Sequence, residues 1–213
     1  MTPSRRLVKH RITRFKSMSA ALRQLEPFLR IDGARLLRTG RPARNFGRML
    51  PREMLGNWLV CAAVNFDRPG EPLYFTSDPN GGDGLLYDEK NKTIQPTEHV
   101  YVRPARAGDT RSGDEFIRDA VADKARLGPP YARGKILVVL LEATLPWQPT
   151  NAARMLPAHA FEGVFVTGLE SYAEGEYTFA VAWLTRQEGH TQAPVFRVRI
   201  AKGFDRWDVT RAQ

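Results

Sequence analysis

A four-residue polar turn, Glu89 to Lys92, stands between two β-prone arms and constrains the fold more than any other stretch of the chain. One arm is 84–88, Gly-Leu-Leu-Tyr-Asp; the other is 93–102, Thr-Ile-Gln-Pro-Thr-Glu-His-Val-Tyr-Val. Two such arms around a short polar turn read as a β-hairpin. Loop length then sets the register. Asp88 opposes Thr93, and counting outward puts Asp83 opposite Glu98. Opposed side chains on an antiparallel pair lie about 5 Å apart. Two carboxylates that close repel unless a cation sits between them or one holds a proton. The pair therefore predicts a divalent metal. Pro96 predicts a bulge or an edge position for the second arm, and a bulge would break the facing pair.

The loop before the hairpin, Ser77-Asp78-Pro79-Asn80-Gly81-Gly82, is also ordinary turn chemistry. That leaves a second reading open, in which Asp83 caps the turn and Glu98 pairs with Arg103 or Arg106 on the surface.

Helical periodicity appears at 17–29, through Met18, Ala21, Leu22, Leu25 and Leu29, and at 52–66, through Met54, Leu55, Trp58, Leu59, Ala62 and Ala63. Pro51 precedes the second of these, and Asp67-Arg68-Pro69-Gly70 stops it. A third helix is expected over 112–127 and a short one over 151–159. Residues 135–142 are an almost wholly apolar run of the kind buried on both faces of a sheet. Further strands are expected at 72–76, 163–169, 177–184 and 194–200. The order implies an α/β (α+β) fold, one mixed sheet flanked by helices with a strand-rich C-terminal extension. The expected organisation is a basic N-terminal arm with one helix over 1–51 and a single α/β domain over 52–213.

Charge is uneven. Residues 1–52 hold 14 Lys and Arg against Glu26 and Asp32, a net of +12, while the remainder is −3. Twelve of those cations are arginine, whose planar fork suits phosphate. Arg35, Arg38, Arg41, Arg44 and Arg48 are the expected nucleic-acid contacts, and nucleic acid is the expected partner. Two other readings stay open: solubility alone, and a targeting segment, because the first 25 residues are Arg-rich and poor in acids. The Arg, Ala and Pro usage fits a GC-rich bacterial genome. The longest apolar run is far short of the roughly 20 residues of a membrane helix, so no membrane is expected. The single cysteine, Cys61, reads as a buried hydrophobe and fits a reducing, cytoplasmic setting.

Helix, three strands, helix, strand is the core order of the PD-(D/E)XK nuclease superfamily, and residues 52–142 resemble it. Gly82-Asp83-Gly84 looks like that superfamily's Asp turn, Glu98 like its second acid, and Glu53 like its helical acid. The resemblance implies a restriction-endonuclease-like core. It also implies a nuclease acting on nucleic acid, in restriction, defence or repair, with Mg²⁺ or Mn²⁺ held by Asp83 and Glu98 and aided by Glu53. The pattern departs at one place. Val100 stands where the superfamily carries a lysine two residues after the acid. Lys124 is the candidate replacement, with Lys135 behind it; the other outcomes are a site that tolerates the change, as variants in the superfamily do, and a non-catalytic nucleic-acid- or partner-binding protein with an inactive core. His99 must point to the opposite side of the strand from Glu98. The aromatics Phe161, Phe165, Tyr172, Tyr177, Phe179 and Trp183 read as core before they read as a base-stacking surface.

Overall fold

The computed structural model of the chain describes residues 15–30, 42–70, 72–103, 105, 108–142, 146–187 and 190–213. Helix α1 (Met18–Arg30) is followed by a 3-10 turn (Arg44–Phe46) and helix α2 (Pro51–Asp67). Strands β1 (Leu73–Thr76), β2 (Leu85–Asp88) and β3 (Thr93–Val102) form a meander. Helices α3 (Gly113–Ala125) and α4 (Pro129–Ala132) lead to β4 (Ile136–Leu141), which pairs parallel to β3. Helix α5 (Pro149–Met155) leads to β5 (Gly163–Ala173), parallel to β4. The chain closes with β6 (Glu176–Gln187), β7 (His190–Gln192), β8 (Val195–Ile200) and β9 (Trp207–Arg211). Among the described residues these strands form one mixed sheet in the order β1-β2-β3-β4-β5-β6-β8-β9, with β7 on the flank of β6.

The sheet curls around α2. That helix touches β1 at one end of the sheet and β8 and β9 at the other. A helix so enclosed must be apolar nearly all round, and its residues from Met54 to Ala63 are buried. Trp58 is wholly buried, donates its indole N–H to the Met18 carbonyl at 2.9 Å, and packs edge-on against Trp207. Leu22, Leu25 and Leu29 of α1, together with Phe46 and Met49, join this same core. The described part of the first 51 residues is thus packed into the domain. A second core fills the other side of the sheet, where α3 and α5 cover Leu137, Val139, Val164 and Val166.

Most predicted elements stand within a residue or two of their expected ends; the short helix expected over 151–159 spans Pro149–Met155 instead, and α4 and β7 were not expected. Three differences have physical causes. Pro96 makes no bulge: Leu85 pairs with Pro96 in unbroken register. The Thr97 N–H donates to the Gly84 carbonyl, so by antiparallel alternation the Pro96 nitrogen points away from β2. On that other side the pairing of β3 with β4 begins only at Thr97, opposite Ile136, so no hydrogen bond is lost. The β5–β6 hairpin runs four residues beyond Leu169 because its arms pair with each other past a register shift between Leu169 and Ser171. Strand β9, Trp-Asp-Val-Thr-Arg, was not expected; among the described residues it is an edge strand pairing only with β8, and its alternation is weak. The aromatics Phe161, Phe165, Tyr177 and Phe179 are buried, whereas Tyr172 is exposed. Cys61 is fully buried, and burial pushes its thiol pKa up. No helix among the described residues is long and apolar enough to cross a membrane.

Candidate functional site

The turn register is the one expected, with Asp88 opposite Thr93 and Leu85 opposite Pro96. The consequence for the two acids differs from the expectation. Past Gly84 the chain leaves the ladder; Gly84 sits at φ +149, in a region that favours glycine. The Asp83 carbonyl is held there by the Asn57 amide of α2, at 3.2 Å. Two residues beyond Thr97 along the same strand edge is the His99 N–H, and Asp83 Oδ2 accepts it at 2.7 Å. A carboxylate thus continues the hydrogen-bond ladder where the backbone of β2 has turned away. Asp83 caps the strand edge, while Glu98 points to the α3 side. The facing carboxylate pair is replaced by two carboxylates held by separate partners.

On the α2 side, the His99 ring is buried against Gly56, where an added Cβ would sit 3.0 Å from Nε2. Its Nδ1 lies 3.7 Å from Asp83 Oδ2. That is too long for a hydrogen bond, and neither ring nitrogen has a hydrogen-bond partner among the described residues. Burial opposes the Asp83 charge, but His99, by its ring and its N–H, and the Lys124 ammonium outweigh it and hold the Asp83 carboxyl below its usual range. Glu53, in the first turn of α2, accepts the Leu50 N–H at 2.7 Å and is buried. Burial pushes its pKa up and the Asp83 charge adds to this, against the Leu50 hydrogen bond, the nearby His99 and Arg52.

On the α3 side, Glu98 meets lysines. Lys124 Nζ lies 2.6 Å from Oε1, and Lys135 Nζ lies 3.5 Å from Oε2. Helix α3 starts at a capping box in which Ser112 and Glu115 exchange hydrogen bonds, and it packs on Val100, Val102 and Leu137. That packing brings Lys124, in its last turn, over Glu98. Lys135 immediately precedes β4, and Glu98 is in register with Leu137, so Lys135 lies on the same face of the sheet. Tyr131 of α4 completes the group. Burial and then the Glu98 carboxylate, which its hydroxyl faces, push its pKa up. Glu98 does not pair with Arg103; Arg106 lies outside the described residues.

The structure thus gathers Asp83, Glu98, Glu53 and Lys124 around the middle of β3. The sequence reading did not include Tyr131, and it set His99 aside because strand neighbours face opposite ways. His99 does face away from Glu98, but its N–H and ring both address Asp83. Of the arginines, Arg35, Arg38 and Arg41 lie outside the described residues, and Arg44 opens the 3-10 turn. Arg48 is exposed, with φ +75. With Gly47, Asp78, Pro79, Gly81 and Gly82 it lines a cleft of about 430 Å³ beside the loop that delivers Asp83.

As arranged, these side chains do not fit a metal ion. Both Glu98 oxygens carry an ammonium group and Asp83 Oδ2 carries a backbone N–H. Among the described residues no three His, Cys, Asp or Glu side chains converge. The chain matches no family model, no curated protein and no solved structure.

Proposed function

We propose that this protein is a nuclease-like domain acting on the phosphodiester backbone of nucleic acid, on a frame resembling the PD-(D/E)XK superfamily. One observation carries the reading: the Lys124 ammonium lies 2.6 Å from Glu98 and within the electrostatic reach of Asp83. The lysine that Val100 cannot supply comes instead from the helix above it. The element order supports the reading too. A helix precedes a three-stranded meander, and a helical crossover leads to a parallel fourth strand.

Phosphodiester hydrolysis places extra negative charge on the phosphoryl oxygens and needs an oriented water. Lys124 is placed to stabilise that charge or to orient the water. Asp83 is held ionised by His99 and Lys124, so it serves to orient the attacking water as a hydrogen-bond acceptor and is a weak proton acceptor. Arg48, beside the glycine-rich loop, adds backbone affinity that falls steeply with salt. Mg²⁺ or Mn²⁺ belongs to the resemblance; the donors as arranged do not form its site, and no step here runs through it.

Val100 favours a second reading, a protein that binds nucleic acid without cutting it. The test is cleavage of plasmid, single-stranded DNA and RNA in Mg²⁺, in Mn²⁺ and in EDTA. Cleavage that is abolished in Asp83→Ala and slowed about 10²-fold or more in Lys124→Met supports the nuclease. Binding without cleavage of any substrate in any of the three conditions leaves only the second reading.

A further inference from the structure

Glu98 has two ammonium groups on it where charge balance needs one. Lys124 approaches one oxygen at 2.6 Å and Lys135 the other at 3.5 Å. The Lys135 ammonium also lies 3.9 Å from the centre of the Tyr131 ring, whose hydroxyl faces the same carboxylate. Two ammonium groups gathered so closely repel each other. The chain nevertheless brings them from separate elements, the end of α3 and the residue before β4, with Tyr131 from α4 between them. All three supply donors, and all three converge on the one carboxylate. A nucleic-acid phosphodiester likewise spreads one negative charge over two non-bridging oxygens, so the donors that hold the Glu98 carboxylate match it as well. The lysine side chains are 24% and 27% exposed, against 14% for Glu98, so the cations can be reached from solvent while the carboxylate sits inside them.

We propose that Lys124, Lys135 and Tyr131 form a phosphate-binding site, and that Glu98 fills it as an internal anion until a nucleic-acid phosphate takes its place. This rests on the reading above for the ligand's identity and adds how the site is kept closed. The lysines hold the second acid to themselves, and among the described residues it joins no converging set of metal donors. This arrangement inverts the usual expectation for a site acid: removing the charge of Glu98 opens the site.

The experiment is fluorescence anisotropy of a short labelled DNA duplex with the full chain, in EDTA at fixed salt, so that neither metal nor cleavage enters. Glu98→Gln is expected to bind about tenfold tighter than wild type. Adding Lys135→Met to it returns affinity to wild type or below. Glu170→Gln is the control for charge alone: it frees Arg197 from an exposed pair on the far strands and is expected to change affinity less than about twofold. Unchanged or weaker binding by Glu98→Gln overturns the proposal, as does an equal gain in Glu170→Gln. If Glu98→Gln melts below the assay temperature, Lys135→Met alone decides: binding several-fold weaker supports the site, and wild-type affinity overturns it. Inorganic phosphate should compete with the duplex more effectively in Glu98→Gln than in wild type; no difference overturns the exchange. Because the assay holds no metal, its failure leaves the cleavage reading standing, and failure of cleavage leaves this binding result standing.

Discussion

On the α2 side of β3, Asp83 is held by a backbone N–H and a buried imidazole, with buried Glu53 behind it; on the α3 side, Glu98 is held by two lysines that solvent can reach. The first arrangement is made by the backbone path and is rigid, because a strand-edge donor cannot move without unravelling the strand. The second is made by long side chains and can change partners. A site that must hold one acid still and release another has use for both. The difference also says where each acid will be sensitive, Asp83 to backbone geometry and Glu98 to charge.

The sharpest way to break the α2 side is at Gly84. A Cβ there would sit 2.3 Å from Asn57 Nδ2 and 3.0 Å from Thr97 Oγ1, at φ +149. Gly84→Ala should cost about 3–5 kcal/mol in denaturant unfolding; a loss below about 1 kcal/mol would show that the loop is not anchored as described. Asp83→Ala should cost about 1–3 kcal/mol at neutral pH by leaving the His99 N–H without its acceptor. The folded pKa of Asp83 is depressed, so its contribution is complete above the unfolded value of about 3.9 and is lost as pH falls through the lower folded value. The mutant and wild-type stability curves should therefore converge at strongly acid pH.

The α3 side predicts smaller effects, because either lysine can partly replace the other. Lys124→Met should cost about 1 kcal/mol and Lys135→Met less, following their distances from Glu98; equal costs, read from thermal melts, would mean the carboxylate is shared evenly. Glu53 gives the smallest effect and one of opposite sign. Its folded pKa is raised, so its charge costs stability once pH exceeds the unfolded value of about 4.3. Glu53→Gln keeps an acceptor for the Leu50 N–H and should stabilise by about 0.5–1 kcal/mol at pH 7, with the gain vanishing in acid. A destabilised variant would show that the charge itself caps α2.

Much of the frame was legible before any coordinates. The Glu89–Lys92 turn gave the β2–β3 register directly, since pairing in a tight hairpin is counted outward from the loop. The apolar run at Ile136–Leu141 is fully buried, as its composition implied. The site was legible only in part. Asp83, Glu98 and Lys124 were named, but the facing of the two acids was not realised: the ladder ends at Gly84, and a donor on the His99 backbone, invisible to side-chain patterning, claims Asp83. Tyr131 and Lys135 carry no periodic signal of their own; one sits in a single-turn helix and the other in the link that precedes β4.

Local period, turn length and the placement of Gly and Pro were enough to determine most of the helices and strands and how the hairpin pairs, because those depend on neighbours a few residues away; α4, β7 and β9 carry no such signal. The tertiary structure alone decided that β3 lies beside β4 in parallel, that the sheet curls around α2, and that Lys124 and Lys135 meet at Glu98. The β3–β4 pairs and the two lysine contacts join residues 26 or more apart in the chain, and nothing in a local pattern sets the distance between charges brought together by packing.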